Sequence, residues 1–155
     1  MSLHFEPYFK LKLIDLSDDT QVNSGGSTNT QTLQPAAGLI YQIVKIWIEI
    51  PDAVGSTAGT HNLWVAYDTS FQAQSAIFFI SSNTGNNIST YVNALDGDSE
   101  QPTAAVQQQD IISGGIEIFC DNTNTIYFKY TNNLDANQTG TRTIKVLVKE
   151  YKEAV

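Results

Sequence analysis

The chain has 155 residues, of which 41% are hydrophobic and 15% charged, and its net charge at pH 7 is −8. A chain of this length can bury a core without disulfides or a structural metal. Its acidic balance excludes the basic stripe that DNA- and RNA-binding proteins use to neutralise phosphates. The same balance disfavours an anionic membrane surface, and no apolar run approaches the ~20 residues that span a bilayer.

The N-terminal part of the sequence predicts one strand followed by a long polar loop. Within residues 3–16, apolar side chains alternate with lysines at Phe9, Lys10, Leu11, Lys12 and Leu13. Residues 17–32 are rich in Ser, Thr, Asn and Gly, so we expect a loop or linker there. Residues 1–16 are therefore either a strand of the same sheet or an arm that packs on a neighbouring subunit. Residues 33–155 are predicted to form the β-sandwich domain.

The strongest predicted strand covers residues 39–50, and it is apolar on both faces. Simple alternation places one apolar set on the first face: Ile40, Val44, Ile46, Ile48 and Ile50. A two-layer sandwich buries one face of each sheet. The second face therefore needs a cover, which could be a loop, the N-terminal segment or another subunit. We expect a self-association interface made by the second apolar set and one tryptophan of the next strand: Leu39, Tyr41, Ile43, Trp47 and Trp64.

The rest of the chain repeats the pattern of short strands between turn clusters. Strands are predicted at residues 63–67, 88–95, 116–120, 126–131 and 144–149, whereas residues 76–80 form either a buried strand or one short helix. In total, about eight strands at this spacing predict an all-β fold. The expected architecture is an antiparallel β-sandwich of the jelly-roll type.

Three stretches in the body of the chain carry a family resemblance. The first runs from Pro35 to Gly38 into the strand at residues 40–46, and the second is Gly59-Thr60-His61. The third combines residues 115–118, 126–128 and 144–148. In this pattern the chain resembles small β-sandwich virion and prophage proteins of tailed bacteriophages.

The resemblance implies a non-enzymatic structural or accessory protein of the virion, of the capsid-decoration, tail-associated or host-surface-binding type. It also implies assembly in the host cytoplasm, localisation in the virion and contacts with other virion proteins. A homo-oligomer such as a trimer is the expected state. Which virion component the chain would be does not follow from fold similarity.

No catalytic constellation is visible in the sequence, so we predict that the protein is not an enzyme. Cys120 lies in an apolar run and is expected to be a buried hydrophobe rather than a nucleophile. His4 is near the terminus, and His61 is expected to be exposed in a turn or hydrogen-bonded. Glycoside cleavage needs paired carboxylates, for which Glu49, Glu117 and Asp121 are the candidates. Glu49 and Glu117 alternate with apolar residues, however, as solvent-facing strand positions do.

One acidic loop is the candidate metal site. Asp96, Asp98 and Glu100 supply three carboxylates at alternate positions, which could bind Ca²⁺. The complete calcium-binding loop of twelve residues is absent, since its central glycine and distal glutamate are out of place. The alternative is a solvated acidic turn, and no other cofactor is expected.

Aromatic side chains could form a platform on which a sugar ring stacks. The candidates are Trp47, Trp64, Tyr67, Tyr91 and Tyr127. The alternative for each is a place in the core or in an interface, where most aromatic residues of strands are found. This hypothesis defines the second function predicted for the chain: a lectin-like, carbohydrate-binding β-sandwich module whose partners include host-surface glycans.

Overall fold

The structure is a computed structural model that describes residues 8–72, 75–93 and 118–153, together with the backbone of residues 106–111. Within these residues the chain forms ten strands and no helix: β1 Lys10–Asp15, β2 Ser27–Leu33, β3 Leu39–Ile50, β4 Thr60–Ala66, β5 Ala76–Asn83, β6 Ile88–Asn93, β7 Val106–Ile111, β8 Phe119–Cys120, β9 Ile126–Asn132 and β10 Thr143–Lys152. Consequently, this part of the chain contains no helix of the length and apolarity that a bilayer crossing requires.

The strands form two sheets, and their order is that of a jelly roll. Sheet one has the order β1-β10-β3-β6, and sheet two has the order β2-β9-β4-β5 with β7 added at its edge. The short strand β8 pairs with the beginning of β3. All pairs are antiparallel. The chain alternates between the two sheets from β1 to β4, β5 then pairs with β4 in sheet two, and β6 returns to sheet one. The predicted fold class is confirmed, and residues 76–80 belong to a strand rather than to a helix.

A β-bulge in β3 decides which side chains enter the core. Leu147 of β10 pairs with Lys45, but the next residue, Val148, pairs with Ile43, so Val44 has no cross-strand partner. An extra residue of this kind reverses the alternation of side chains along the strand. As a result, Tyr41 and Ile43 lie on the same side as the later isoleucines of β3, and all are buried.

The predicted interface on β3 is therefore wrong for its central residues. Tyr41 is 5% exposed and Ile43 is 0% exposed, so both are core residues that no second subunit can contact. Leu39 is half-buried at the start of the strand. Trp47, at 37% exposure, remains on the outer surface of sheet one. Most of the apolar content of β3 is buried inside the sandwich itself, which removes the argument that its second face must be covered.

The N-terminal segment packs on its own chain, and the predicted loop at residues 17–32 is wrong for its last third. β1 pairs with β10 over its whole length. β2 begins at Ser27 and pairs with β9 through all seven of its residues. Its polar composition is compatible with a strand because β2 is at the sheet edge, where Thr side chains favour extended backbone and need not be buried. Val22 is 3% exposed and exchanges two backbone hydrogen bonds with Gln138.

Arg142, the single arginine of the chain, is buried and joins the β1–β2 connection to the β9–β10 connection. Its side chain is 2% exposed, and its Nη2 donates to the carbonyl oxygen of Thr20 at 2.8 Å. The same nitrogen lies 3.6 Å from the Asp18 carboxylate. The guanidinium carbon lies 5.3 Å from the ring centre of Tyr130. A buried guanidinium is tolerated because these partners replace the water that it loses.

We expect the substitution Arg142→Met to lower the free energy of unfolding by roughly 3–5 kcal/mol, because it leaves the Asp18 carboxylate without its buried cation. Urea unfolding followed by tryptophan fluorescence measures this change. Lys145→Met is the matched control, since Lys145 lies three residues further along the chain, on β10, and is only half-buried. A loss for Arg142→Met no larger than that of the control would contradict the role assigned to the guanidinium.

Candidate functional site

The tryptophans proposed as interface or sugar-platform residues lie on different sheets. Trp47 is on β3 of sheet one and pairs across the ladder with Tyr91 of β6. The Lys45 ammonium lies over both of these rings, 5.1 Å from the Trp47 ring centre and 3.9 Å from that of Tyr91. Trp64 is on β4 of sheet two. The structure therefore does not bring Trp47 and Trp64 together in one surface.

Trp64 belongs to an aromatic cluster that is already packed. Its ring centre is 4.7 Å from that of Phe79 and 6.5 Å from that of Phe71. Phe71 is 8% exposed and has φ of 51°, a left-handed conformation that is unfavourable for a bulky side chain. The Lys129 ammonium lies 4.1 Å from the Phe71 ring centre. Because these contacts already occupy the Trp64 ring, it is a poorer sugar platform than an exposed aromatic side chain.

The other sequence candidates are placed as follows. Asp96, Asp98, Glu100, His4 and Glu117 lie outside the described residues. Among the residues that the structure does describe, no group of three His, Cys, Asp or Glu side chains could hold a metal ion.

His61 is a buried structural residue. It is 0% exposed, with Nδ1 3.2 Å from the Tyr130 hydroxyl and Nε2 2.9 Å from the carbonyl oxygen of Asn86. Burial lowers the pKa of His61 below its ordinary value, which favours the neutral imidazole. Of the two alternatives for His61, the structure shows the hydrogen-bonded one.

An open pocket lies where β3 begins, at the end of the sandwich that also holds the β8–β9 turn. This Tyr67 pocket has a volume of about 340 Å³ and is lined by Ile40, Tyr67, Phe119, Cys120, Asp121 and Asn124. β3 and β8 each bring one part of its wall to this end, Tyr67 follows directly after β4, and the turn after β8 supplies the polar groups. The pocket combines apolar and aromatic walls with two polar side chains, as small-molecule sites do.

Two aromatic side chains on the Tyr67 pocket are accessible to a ligand. Tyr67 is 38% exposed and Phe119 is 40% exposed. Partial burial raises the pKa of the Tyr67 phenol, so the hydroxyl stays protonated and able to donate a hydrogen bond at neutral pH. Each of the two side chains is therefore partly buried and partly open to solvent.

Asp121 presents a fixed negative charge to the Tyr67 pocket. Its Oδ1 accepts hydrogen bonds from the backbone N–H groups of Thr123 and Asn124, each at 2.7 Å, and from the Thr123 hydroxyl at 2.7 Å. These donors hold the pKa of Asp121 well below its usual range, so the carboxylate is ionised. Within the described part of the chain, Oδ2 accepts only from the Asn124 amide, at 3.0 Å. Oδ2 can therefore accept a further hydrogen bond from a ligand.

Phe119 and Asn124 were not identified from the sequence. Phe119 lies between Ile118 and Cys120, both of which are buried. Alternation along this short strand could therefore have indicated that the Phe119 side chain is exposed. Asn124 lies in a turn whose residues were recognised only as a hairpin connection. The sequence feature that could have indicated the site is Phe119, an aromatic residue on the outer face of the strand just before a turn rich in Asp and Asn.

The comparison with protein-family models found no match, and neither did the comparison with curated proteins. Among solved structures, the chain is similar to the Emp46p carbohydrate recognition domain in its potassium-bound form. The identity is 8% and the TM-score is 0.35, with 94% of this chain and 89% of the other covered. Because this TM-score is low, the fold of the chain rests on its own strand order.

The Cys120 thiol should be unreactive in the folded protein. Cys120 is 1% exposed, and burial raises its pKa to about 12, so the nucleophilic thiolate is not populated at neutral pH. With a thiol reagent such as dithionitrobenzoate at pH 8, we expect no labelling of the native chain and one thiol per chain in denaturant. Rapid labelling of the native protein would contradict this assignment and would reopen the hypothesis of a nucleophile in the Tyr67 pocket.

Proposed function

We propose that the protein is a carbohydrate-binding module and that the Tyr67 pocket is its ligand site. The observation that carries the proposal is the combination of two accessible aromatic rings with an ionised carboxylate around one cavity. Tyr67 and Phe119 supply flat apolar surfaces, and Asp121 supplies a charged acceptor. The proposal selects the lectin-like alternative for the function and assigns no reaction to the chain.

The chemistry of the Tyr67 pocket matches that of a neutral sugar. One side of a pyranose ring carries C–H groups that stack on an aromatic face, and its edge carries hydroxyl groups. Tyr67 or Phe119 can take the apolar side. The Asp121 carboxylate can accept from a hydroxyl, and hydrogen bonds to an ionised acceptor are shorter and stronger than neutral ones. The Asn124 side chain provides a second polar partner at the rim.

The electrostatics of the Tyr67 pocket favour binding over glycoside cleavage. Cleavage uses two carboxyl groups, one of which must have a raised pKa to act as general acid. Among the described lining residues Asp121 is the one carboxylate, and its pKa is lowered. Its hydrogen bonds suit it to accept from a ligand, and they oppose the protonated state that an acid catalyst requires.

Glycan screening followed by calorimetry tests the proposal. We expect the full chain to bind at least one neutral glycan, and Tyr67→Ala to weaken that binding roughly tenfold, since it removes a stacking face. Trp47→Ala is the matched control, because Trp47 has nearly the same exposure, 37% against 38%, and lies outside the pocket. Equal losses in the two variants, or no glycan binding by the native chain, would refute the proposal.

Self-association, as in the virion role that the resemblance implies, is the second candidate function, and one observation favours it. Sheet one leaves large apolar side chains on its surface, with Leu11 63% exposed and Leu13 56% exposed. The same sheet carries Lys145 opposite Asp15 on the neighbouring strand. We propose that a second copy of the chain covers these leucines, since a surface with both signs of charge can be complementary to itself across a symmetric interface.

Light scattering at micromolar and higher concentration tests this second candidate. We expect an oligomer that Leu11→Ser with Leu13→Ser converts to a monomer, because the exposed apolar area is lost. Val54→Ser is the control, as Val54 is 87% exposed in the β3–β4 connection. A 17.0 kDa monomer that persists for the native chain at high concentration would remove this candidate, the trimer included.

A further inference from the structure

A second cavity lies beside the Tyr67 pocket, where β1 begins and β10 ends. It has a volume of about 610 Å³ and is lined by Tyr8, Phe9, Lys10, Leu39, Glu150, Tyr151 and Lys152. Leu39 lines this terminal cavity, and the next residue, Ile40, lines the Tyr67 pocket. The two cavities are therefore neighbours at one end of the sandwich.

Positive charge is concentrated around the terminal cavity. The chain has eight basic residues against sixteen acidic ones. Four of the eight basic residues are at the beginning of β1 and the end of β10: Lys10, Lys12, Lys149 and Lys152. The acidic residues of the same segments that lie nearest to them along the chain are Glu150 and Glu153. Among the described residues, this corner of an acidic protein therefore has more lysines than carboxylates.

Two of these lysines are engaged within the protein, and two are available. The Lys12 ammonium lies 3.2 Å from the Glu150 carboxylate, and it also donates to the Tyr41 hydroxyl at 3.2 Å. The Lys149 ammonium lies over the Phe9 ring, 4.7 Å from its centre. Lys10 and Lys152 are exposed, both line the cavity, and neither takes part in an ion pair of the described residues.

Two of the three aromatic side chains of the terminal cavity, Phe9 and Tyr151, are held in place. The ring centres of Phe9 and Tyr151 are 5.6 Å apart. The Tyr151 hydroxyl donates a hydrogen bond to Gln42 Oε1 at 2.9 Å, which fixes the orientation of its ring. Tyr8 is 92% exposed at the mouth of the cavity. A ligand that enters would meet flat apolar faces and two ammonium groups, together with the Glu150 carboxylate, which Lys12 already pairs with.

We propose that the terminal cavity binds an acidic sugar, that is, a sugar ring bearing a carboxylate. The carboxylate would lie between Lys10 and Lys152, where a charge-assisted hydrogen bond to an ammonium is favourable. The C–H face of the sugar would stack on Tyr151 or Tyr8. The inference rests on the proposed function for its choice of a sugar as the ring, whereas the preference for an anion follows from the lysines alone.

The terminal cavity and the Tyr67 pocket thus differ in the charge of the side chains that line them. Asp121 makes the Tyr67 pocket acidic and suited to hydroxyl donors, whereas Lys10 and Lys152 make the terminal cavity suited to an acceptor. Because the two cavities are lined by consecutive residues of β3, one could bind a neutral sugar unit while the other binds an acidic sugar unit of the same glycan. The ligand class that follows is a glycan containing uronic or related acidic residues.

Calorimetry of the full chain with glucuronate-containing and matched glucose-containing oligosaccharides tests the inference. We expect the acidic oligosaccharide to bind with an affinity that falls as salt is added, since salt screens exposed charges. Lys10→Met with Lys152→Met should weaken this binding about tenfold and leave binding of the neutral oligosaccharide unchanged. Lys129→Met with Lys145→Met is the control, because it also removes two positive charges and neither residue lines the terminal cavity.

Each result separates this inference from the proposed function. Binding of the acidic oligosaccharide that survives Tyr67→Ala but is lost in the double lysine variant supports the terminal cavity even if the neutral glycan does not bind. Equal affinity of the double variant and the native chain for the acidic oligosaccharide would overturn the inference. An equal loss in the double control variant, Lys129→Met with Lys145→Met, would also overturn it, as would inorganic phosphate competing as well as glucuronate does.

Discussion

The β-bulge at Val44 is the constraint on which the arrangement of the molecule depends. By leaving one residue of β3 unpaired, it rotates the first half of the strand so that Tyr41 and Ile43 enter the core with the isoleucines of the second half. A strand that is apolar at nearly every position can then sit in a two-layer sandwich. Without this shift, alternation along the strand would place Tyr41 and Ile43 on the outer face of sheet one.

The two ends of the sandwich differ in how their polar groups are used. At the end formed by the β1–β2, β3–β4, β5–β6 and β9–β10 connections, polar groups are engaged in structure. Arg142 is buried there, and Asp135 accepts hydrogen bonds from Ser56 and Thr57, among them one from the Thr57 hydroxyl at 2.7 Å. At the other end, aromatic rings and lysines line open cavities. The connections at one end use their polar groups in hydrogen bonds within the protein, and the opposite end has the open cavities, as loops at one end of a β-sandwich commonly form its binding site.

Lysines are concentrated at one corner of the molecule, although the net charge of the chain is negative. The overall balance of −8 disfavours anionic partners as a class. The folded chain nevertheless brings the ends of β1 and β10 together, because these strands pair antiparallel, and four lysines that are far apart in sequence become neighbours. Attraction between a ligand and these lysines acts within a Debye length of about 8 Å at physiological salt. A small anionic group at that corner would therefore respond to the local lysines more than to the distant carboxylates.

The sequence by itself determined the fold class. Period-two alternation and regular turn clusters are local patterns, and they do not depend on which strands pair with each other. The sequence also predicted that Cys120 is a buried hydrophobe, because Cys120 lies in an apolar run, and the structure confirms this burial. Only the tertiary structure decided that β2 is a strand, because a polar edge strand owes its conformation to pairing with β9 rather than to burial. The bulge in β3 likewise depends on the register of β10. The candidate sites join Tyr67 to Asp121 and Lys10 to Lys152, and pairs so far apart in the chain meet only through the topology of the strands.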